Sequence, residues 1–383
     1  MGEQTTIVAF PARKISEWES CGAWGRDAHL LQAMAQALGP QDTRVVVVDR
    51  ARRWGSEVPR RTFVGSIVVE TVPHPVEFPQ WTRRGLPALA ARRAAGRIPK
   101  QLQLDGGNGL VVCWDLMRWP AAARLAEDLG WALLTDVFDD WRLHPSMPAW
   151  RRHFEKNVYP ALEGTDRIVS AVSRSAVEGA QAPLLVPNAG FHDGSMRNGP
   201  QPGPGRPTAA YVGTIHSRLD VEILTALRAG LGGWDVVVAG PAMDKRVRRY
   251  VAEANVRIVG WWAMRDIDRL ATVVVCPYVR TSYTRTMDPL KVYEALARGV
   301  PCVSTLPIQR MPSRGLFVVD PADFVEAVNS AAVEPRPLVA VSGQALGSWG
   351  DRADILLRAT GLIPRIDGVP SSDPPPMTLL GSR

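Results

Sequence analysis

Cysteine is scarce: four among 383 residues (Cys21, Cys113, Cys276 and Cys302), none in a C-x-x-C pair. That scarcity excludes a zinc site of the usual spacing and a disulfide framework, and it fits free thiols in a reducing cytosol. Long apolar runs are also missing. A stretch such as Leu110–Trp114 falls far short of the ~20 residues that a membrane-spanning helix needs. The opening Met1-Gly-Glu-Gln-Thr-Thr-Ile-Val-Ala-Phe10 has neither the cationic start nor the apolar core of a signal peptide, and Met1-Gly2 alone is too little for a lipidation signal. A cytoplasmic location is the expectation. Several chemical motifs are absent too. There is no G-x-x-x-x-G-K-[ST] phosphate loop, no G-x-G-x-x-G leading from a strand into a helix, no G-x-S-x-G elbow, and no H-E-x-x-H among the six histidines. No metal site and no resident cofactor is expected.

What is present is the composition of a folded protein. Hydrophobic residues make up 46% and charged residues 22%, which excludes a wholly disordered or fibrous chain. At ~150 residues per domain the length suggests two domains. The net charge of +7 is spread along the sequence, which points to small anions rather than dedicated nucleic-acid binding. Pairs such as Arg83-Arg84, Arg92-Arg93 and Arg248-Arg249 come with no recognised binding module, so they read as solvated faces.

Short β-branched runs recur between helical patterns. In the first half they are 7–10, 45–49, 110–114, 132–135, 167–171 and 184–186; in the second, 209–212, 235–239, 256–258, 272–276, 302–304 and 316–319. Uniformly apolar strands alternating with helices predict parallel sheets covered on both faces. Residues 26–38 illustrate the helices, with Leu30, Leu31, Met34 and Leu38 on one stripe. The stretch 50–108, rich in Arg, Pro and Gly, predicts long, partly mobile loops with short elements. The Pro- and Gly-dense stretch 194–207 reads as a linker. The expected organisation is an α/β chain with a Rossmann-like domain over 1–193, a linker over 194–208 and a second such domain over 209–361. A disordered or crossover tail follows over 362–383. Two doubly wound domains would face each other across a cleft lined by the carboxyl ends of their strands.

One segment carries chemistry. A buried strand ending at Cys276 leads through a loop into Met287-Asp-Pro-Leu-Lys-Val-Tyr-Glu-Ala-Leu-Ala-Arg-Gly299. Asp288 stands at the expected N-cap and Pro289 in the first turn, and Gly299 ends the helix. Lys291 and Glu294 share a face. The free N–H groups of such a helix start attract an anion, Lys291 adds a full charge beside them, and Glu294 one turn on suits a ribose diol. An ordinary surface helix with a Lys–Glu pair would show the same pattern.

From Ala209 to about Gly361 the sequence resembles the nucleotide-binding domain of GT-B glycosyltransferases, nearest the family-4 type. Within that set it is most similar to bacterial teichuronic-acid or capsule-type and natural-product sugar transferases. Five segments match in order: Tyr211-Val-Gly-Thr-Ile-His-Ser-Arg-Leu-Asp220, Val236-Val-Val-Ala-Gly-Pro241, the 256–270 stretch around Trp261 and Trp262, the Pro289-to-Gly299 run, and Ser348-Trp-Gly-Asp-Arg352. The resemblance implies a GT-B fold and transfer of a sugar, by retention and without a metal, from a nucleoside-diphosphate sugar (UDP most of all) to a hydroxyl or amine. Natural-product or cell-surface glycan synthesis would be the setting. It implies roles as well: Glu294 on the ribose; Lys291 and the amides around Pro289 and Leu290 on the diphosphate; Gly213 and Thr214 as the loop approaching it; Trp261, Trp262, Gly240 and Pro241 around the base. Each glycine would equally serve only its turn, and each tryptophan the core.

Two departures stand out. The family's E-x7-E pair has Thr286 in place of its first acid, and its Arg…Lys pair is reduced to Arg218, with Arg280 or Arg285 as substitutes. In the first half, Gly22-Ala-Trp-Gly-Arg-Asp-Ala-His-Leu30 (with Gly22, Trp24 and Gly25), Cys113-Trp-Asp115 and Leu134-Thr-Asp-Val-Phe-Asp-Asp140 resemble the acceptor side. Val186-Pro-Asn-Ala-Gly190 resembles the close of the first domain. Asp139 and Asp140, with Asp136, are candidates to orient or deprotonate an acceptor, or to cap helices and solvate loops. The expected partners are a small-molecule donor and acceptor, with no nucleic acid and at most peripheral membrane contact; the oligomeric state is open. A GT-B-shaped sugar-nucleotide epimerase and a non-catalytic nucleotide-binding protein are the alternatives.

Overall fold

Each half of the chain lays its β-branched runs side by side as a mainly parallel sheet. The computed structural model describes residues 4–15, 18, 25–49, 60–64, 67–73, 104, 107–144, 156–162, 167–177, 183–190, 205–242, 244–260, 267–308, 315–334 and 347–364. The first domain contains β1 (Thr5–Phe10), α1 (Arg26–Ala37), β2 (Thr43–Asp49), β3 (Arg60–Val64), β4 (Ile67–Pro73), β5 (Gly109–Cys113), α2 (Trp119–Leu129), β6 (Ala132–Val137), β7 (Arg167–Ala171) and β8 (Leu184–Leu185). The second contains β9 (Thr208–Val212), α3 (Val221–Gly230), β10 (Asp235–Ala239), α4 (Lys245–Glu253), β11 (Arg257–Val259), α5 (Ile267–Leu270), β12 (Val273–Cys276), α6 (Leu290–Ala297), β13 (Cys302–Ser304), β14 (Leu316–Val318) and α7 (Phe324–Val333). A last helix, α8 (Trp349–Ala359), follows.

The sheets run β3-β4-β2-β1-β5-β6-β7-β8 and β11-β10-β9-β12-β13-β14. Among the described strand pairs only β3–β4 is antiparallel. That hairpin occupies part of the stretch expected to be mostly loop. All twelve runs picked from the sequence are strands, because a parallel strand buried on both faces has to be apolar throughout. Alternation then divides the first sheet's residues between two cores. Val8, Phe10, Val46, Val111 and Cys113 pack with α2 on one face. Ile7, Ala9, Val45, Val47, Leu110 and Val112 pack with α1 on the other.

Helix α8 departs from the expected division at 361. Trp349, Ala353, Leu356 and Leu357 join the α1 face of the first domain, and Arg352 Nε donates to the Pro187 carbonyl at 2.9 Å. The resemblance over 348–352 implies a final helix, which is present; the surface it covers belongs to the first domain. Among the described residues no helix is long and apolar enough to cross a membrane.

Candidate functional site

The start of α6 is the natural place to begin. Its cap is Pro289, and no side chain accepts from its first turn. Asp288, the expected N-cap, is pulled away. Its carboxylate accepts from the Asn188 main-chain N–H and the Tyr293 hydroxyl, both at 2.8 Å, while Asn188 Nδ2 donates to the Asp288 carbonyl at 2.6 Å. Partners across the domain seam outcompete the local cap. The N–H groups at the start of α6 therefore present their partial positive charge without a side-chain acceptor.

Lys291 rises beside them. Its Nζ lies 3.6 Å from the Tyr211 ring centroid and 5.4 Å from that of Tyr278. It meets no hydrogen-bond acceptor among the described residues. Gly213 has φ +144° there, and a Cβ on it would stand 2.5 Å from Nζ. Only glycine suits both that backbone and that approach. Gly213 N–H donates to Ala239 at 2.8 Å, Ile215 N–H to Pro241 at 2.9 Å, and the Tyr211 hydroxyl to Thr214 at 2.9 Å. Gly213, Thr214, Gly240, Pro241 and Lys291 thus lie together at the strand ends. Burial would raise the Tyr211 phenol, but the Lys291 ammonium and Arg218 guanidinium outweigh it and hold the phenol below 10.

Arg218 is the cation that turns to the cleft. It is half-buried, and its Nε has no acceptor among the described residues. Burial works against its charge, yet Tyr211, Tyr278, Tyr283 and Asp139 hold it ionised. Arg280 instead binds Asp320 and donates to the Thr305 and Val319 carbonyls, and Arg285 is exposed on the turn Thr284–Thr286. Thr286 spends its hydroxyl on the Tyr283 carbonyl at 2.7 Å, so no acid stands in the family's first glutamate position.

The three acids around the end of β6 separate sharply. Asp136 is fully buried and accepts from Arg26 Nε (2.7 Å) and Nη2 (2.9 Å), Trp114 Nε1 (2.8 Å) and Ser170 Oγ (2.6 Å). Asp140 is pinned by Arg142 through Nε at 2.8 Å and Nη2 at 2.7 Å. It serves the 140–142 turn, which argues against the acceptor-side role expected of it. Asp139 alone turns to the second domain, towards Arg218 and Tyr283. Desolvation lifts its carboxyl to about 6 against the pull of those two neighbours. A carboxyl with that value changes charge near neutral pH, as acid–base residues do.

Sequence reasoning missed a second group beside Asp139. His144 stacks on Trp141 at 5.2 Å and meets His216 at 5.0 Å and Tyr283 at 4.6 Å, both edge-on, across the cleft. Burial, then Arg218, lowers the His216 imidazole. A lone histidine before a proline has no periodicity to betray it; only the fold brings these rings together.

Glu294 faces the seam rather than the glycine loop and is 3% exposed. Its Oε2 binds Arg298, and its Oε1 lies 3.6 Å from Nε2 of His29 on α1, which stacks on Trp349 at 5.0 Å. Burial, then Arg298, pushes the His29 imidazole down to about 3, so it is neutral here and forms no ion pair. Along the same seam, a Cβ on Gly190 would overlap Ala297 and stand 2.9 Å from the Tyr293 carbonyl. Asp115 accepts from Met117 N–H and Arg118 Nε, a structural use at the end of β5. Gly25 caps α1. Gly22, Trp24, Trp261 and Trp262 lie outside the described residues. Among the described residues no group of three or more His, Cys, Asp or Glu is gathered as metal ligands would be. A depression of about 660 Å³ lined by Asp220, Glu222, Thr225, Tyr250, Glu253 and Val279 lies beside α3 and α4 and holds none of the expected site residues.

Two α/β domains built on mainly parallel sheets, with a cation and an uncapped helix start at the edge of the second sheet, have the GT-B fold. Residues 206–333 match the family model described as glycosyl transferases group 1. No curated protein matches the sequence. Among solved structures the chain is similar to sucrose-phosphate synthase from Thermosynechococcus elongatus, with TM-score 0.63, 16% identity, and 94% of this chain and 96% of that one covered. It is also similar to Anabaena HepE, solved with UDP and glucose (TM-score 0.63, 13% identity, 94% and 100% covered). A third is the E. coli trehalose-6-phosphate protein bound with UDP-2-fluoro glucose (TM-score 0.61, 11% identity, 94% and 99% covered).

Proposed function

We propose that the protein moves a sugar from a UDP-sugar to a hydroxyl or amine acceptor, with retention and without a required metal, in natural-product or cell-surface glycan synthesis. The observation that carries this reading is the meeting of Lys291 Nζ, the uncapped start of α6 and the side-chain-free Gly213 at one point. The diphosphate rests on the Leu290 and Lys291 amides, with Lys291 and Arg218 taking up the charge that builds as the glycosidic bond breaks. Fixed donors of this kind stabilise a leaving group without reorganising, which is the part Mg²⁺ plays elsewhere. Asp139 lies opposite, where it orients a sugar or acceptor hydroxyl in place of the acid absent at Thr286. Glu294, buried one turn into α6 beside Arg298, receives the ribose. UDP is favoured as the carrier because two of the similar structures were solved with UDP or a UDP-sugar.

Both reactants are small molecules and nucleic acid has no part. A cytoplasmic setting accords with the free thiols of Cys113, Cys276 and Cys302. The test is mass spectrometry of UDP-, dTDP- and GDP-sugars incubated with the protein and cell-extract acceptors, with and without EDTA. Sugar transfer from a UDP-sugar that survives EDTA supports the reading. Isomerised donor without transfer would mark an epimerase instead, and absence of turnover with any donor would overturn the enzymatic reading.

A further inference from the structure

Asp288 poses a physical problem. It is a negative charge one residue before the cap of a helix whose positive end is read here as the diphosphate seat. Asp followed by Pro is also a favourable N-cap and first-turn pair. Left to local preference, Asp288 would cap α6, occupying the Leu290 and Lys291 amides and repelling a phosphate. It does neither. The Asn188 N–H and the Tyr293 hydroxyl hold both carboxylate oxygens at 2.8 Å. Asn188 is itself anchored, its Oδ1 accepting from Arg26 Nη1 at 3.2 Å, and Arg26 is locked on Asp136. Tyr293 and Asn188 are 0% and 4% exposed, so the restraint is built into the interior.

We propose that Asp288 is a competing internal anion, and that Tyr293 and Asn188 are positioning residues that keep it off the start of α6 so that a nucleoside diphosphate can enter. The inference rests on the nucleotide reading above and adds to it a built-in rival for the site. Two capping registers of one helix follow: the Pro289 register seen here, open to phosphate, and an Asp288 register, closed to it. Tyr293, one turn into the same helix, selects between them with a single hydroxyl, and the Asn188 link ties that selection to the first domain.

The test is calorimetric titration of the full chain with UDP, alongside NMR titration with uridine, which lacks phosphate. Tyr293→Phe is expected to weaken UDP binding roughly 5-fold, the ratio that loss of an ordinary N-cap interaction corresponds to, with uridine binding unchanged. Asp288→Ala/Tyr293→Phe should return UDP affinity to the wild-type range, because neither the competing charge nor a capping side chain remains. Asp288→Asn alone should bind UDP at least as tightly as wild type, an arm that stands even if Tyr293→Phe folds poorly. A merely structural tyrosine would weaken UDP and uridine together, and the double variant would not recover; either result overturns the proposal. Wild-type protein that binds no UDP overturns the nucleotide reading along with it. Wild-type binding with an unaffected Tyr293→Phe variant overturns this inference alone.

Discussion

The seam and the cleft are built from the same residue types and treat them in opposite ways. In the seam, Asp136 has four donors within 2.9 Å, and Arg26, Asn188, Asp288 and Tyr293 continue the chain of bonds into the second domain. In the cleft, Lys291 Nζ and Arg218 Nε have no hydrogen-bond acceptor among the described residues, and Asp139 carries a raised carboxyl. A buried polar group without a partner costs folding free energy, on the order of 1–3 kcal/mol. Arg298 Nε and Trp349 Nε1 are left that way in the seam as well, so what sets the cleft apart is that Lys291 Nζ stands beside an uncapped helix start. Asp136 and Asp139 make the contrast within a single strand end: one acid is tied into the fold by four hydrogen bonds, the other turns towards Arg218 and Tyr283 of the second domain.

Substitutions in the two regions should therefore part company. The largest expected effect lies in the seam. Arg26→Ala leaves Asp136 buried without its main counter-charge, which costs about 3–5 kcal/mol of stability; a large drop in melting temperature checks it. Next comes Lys291→Ala, expected to lower turnover about 10²-fold or more, on the scale of losing one oxyanion donor, with a melting temperature near wild type. Wild-type turnover in that variant would remove Lys291 from the site.

Asp139→Asn should move the two readouts in opposite directions. The folded carboxyl titrates near 6, above its ordinary 3.8. The folded state thus prefers it protonated, and ionisation is a cost present above about pH 6 and gone below 3.8. The asparagine variant should be more stable than wild type at pH 7.5 by about 1–2 kcal/mol, with the gap closing in acid, while turnover falls roughly 10-fold. In the wild type, activity should decline as pH falls through about 6, and Asp139→Asn should lose that acid limb. The smallest effect belongs to Arg280→Ala. Its guanidinium is spent on Asp320 at the surface, so stability should change by less than about 1 kcal/mol and turnover by less than about twofold. A large loss of turnover would restore Arg280 as the cation that replaces the family's missing lysine.

Much of this was legible in the sequence where the cause is local. The strands could be read because each is apolar along its whole length. The meeting of Gly213 with Lys291 could be anticipated because a glycine turn and a helix start each announce themselves within a few residues. Where partners are distant in sequence, the reading stopped. Asp136, Asp139 and Asp140 look alike in the chain, and their separate uses depend on Arg26, 110 positions before Asp136, on Arg218 in the other domain, and on Arg142 beside Asp140. Asp288 was expected to cap its helix, but Asn188, 100 positions away, holds its carboxylate and Pro289 takes the cap position. His144 gave no signal at all. Helix α8 was legible as a final helix from residues 348–352 but not in its destination, since a local pattern says nothing of what will cover it.

The most direct measurement is a crystal structure of the protein soaked in UDP. The expected result places the β-phosphate oxygens roughly 3 Å from Lys291 Nζ and from the main-chain N–H groups of Leu290 and Lys291, with Gly213 against the diphosphate and Asp288 still held by Asn188 and Tyr293. A nucleotide bound elsewhere, or an α6 start capped by Asp288 with UDP excluded, would contradict it.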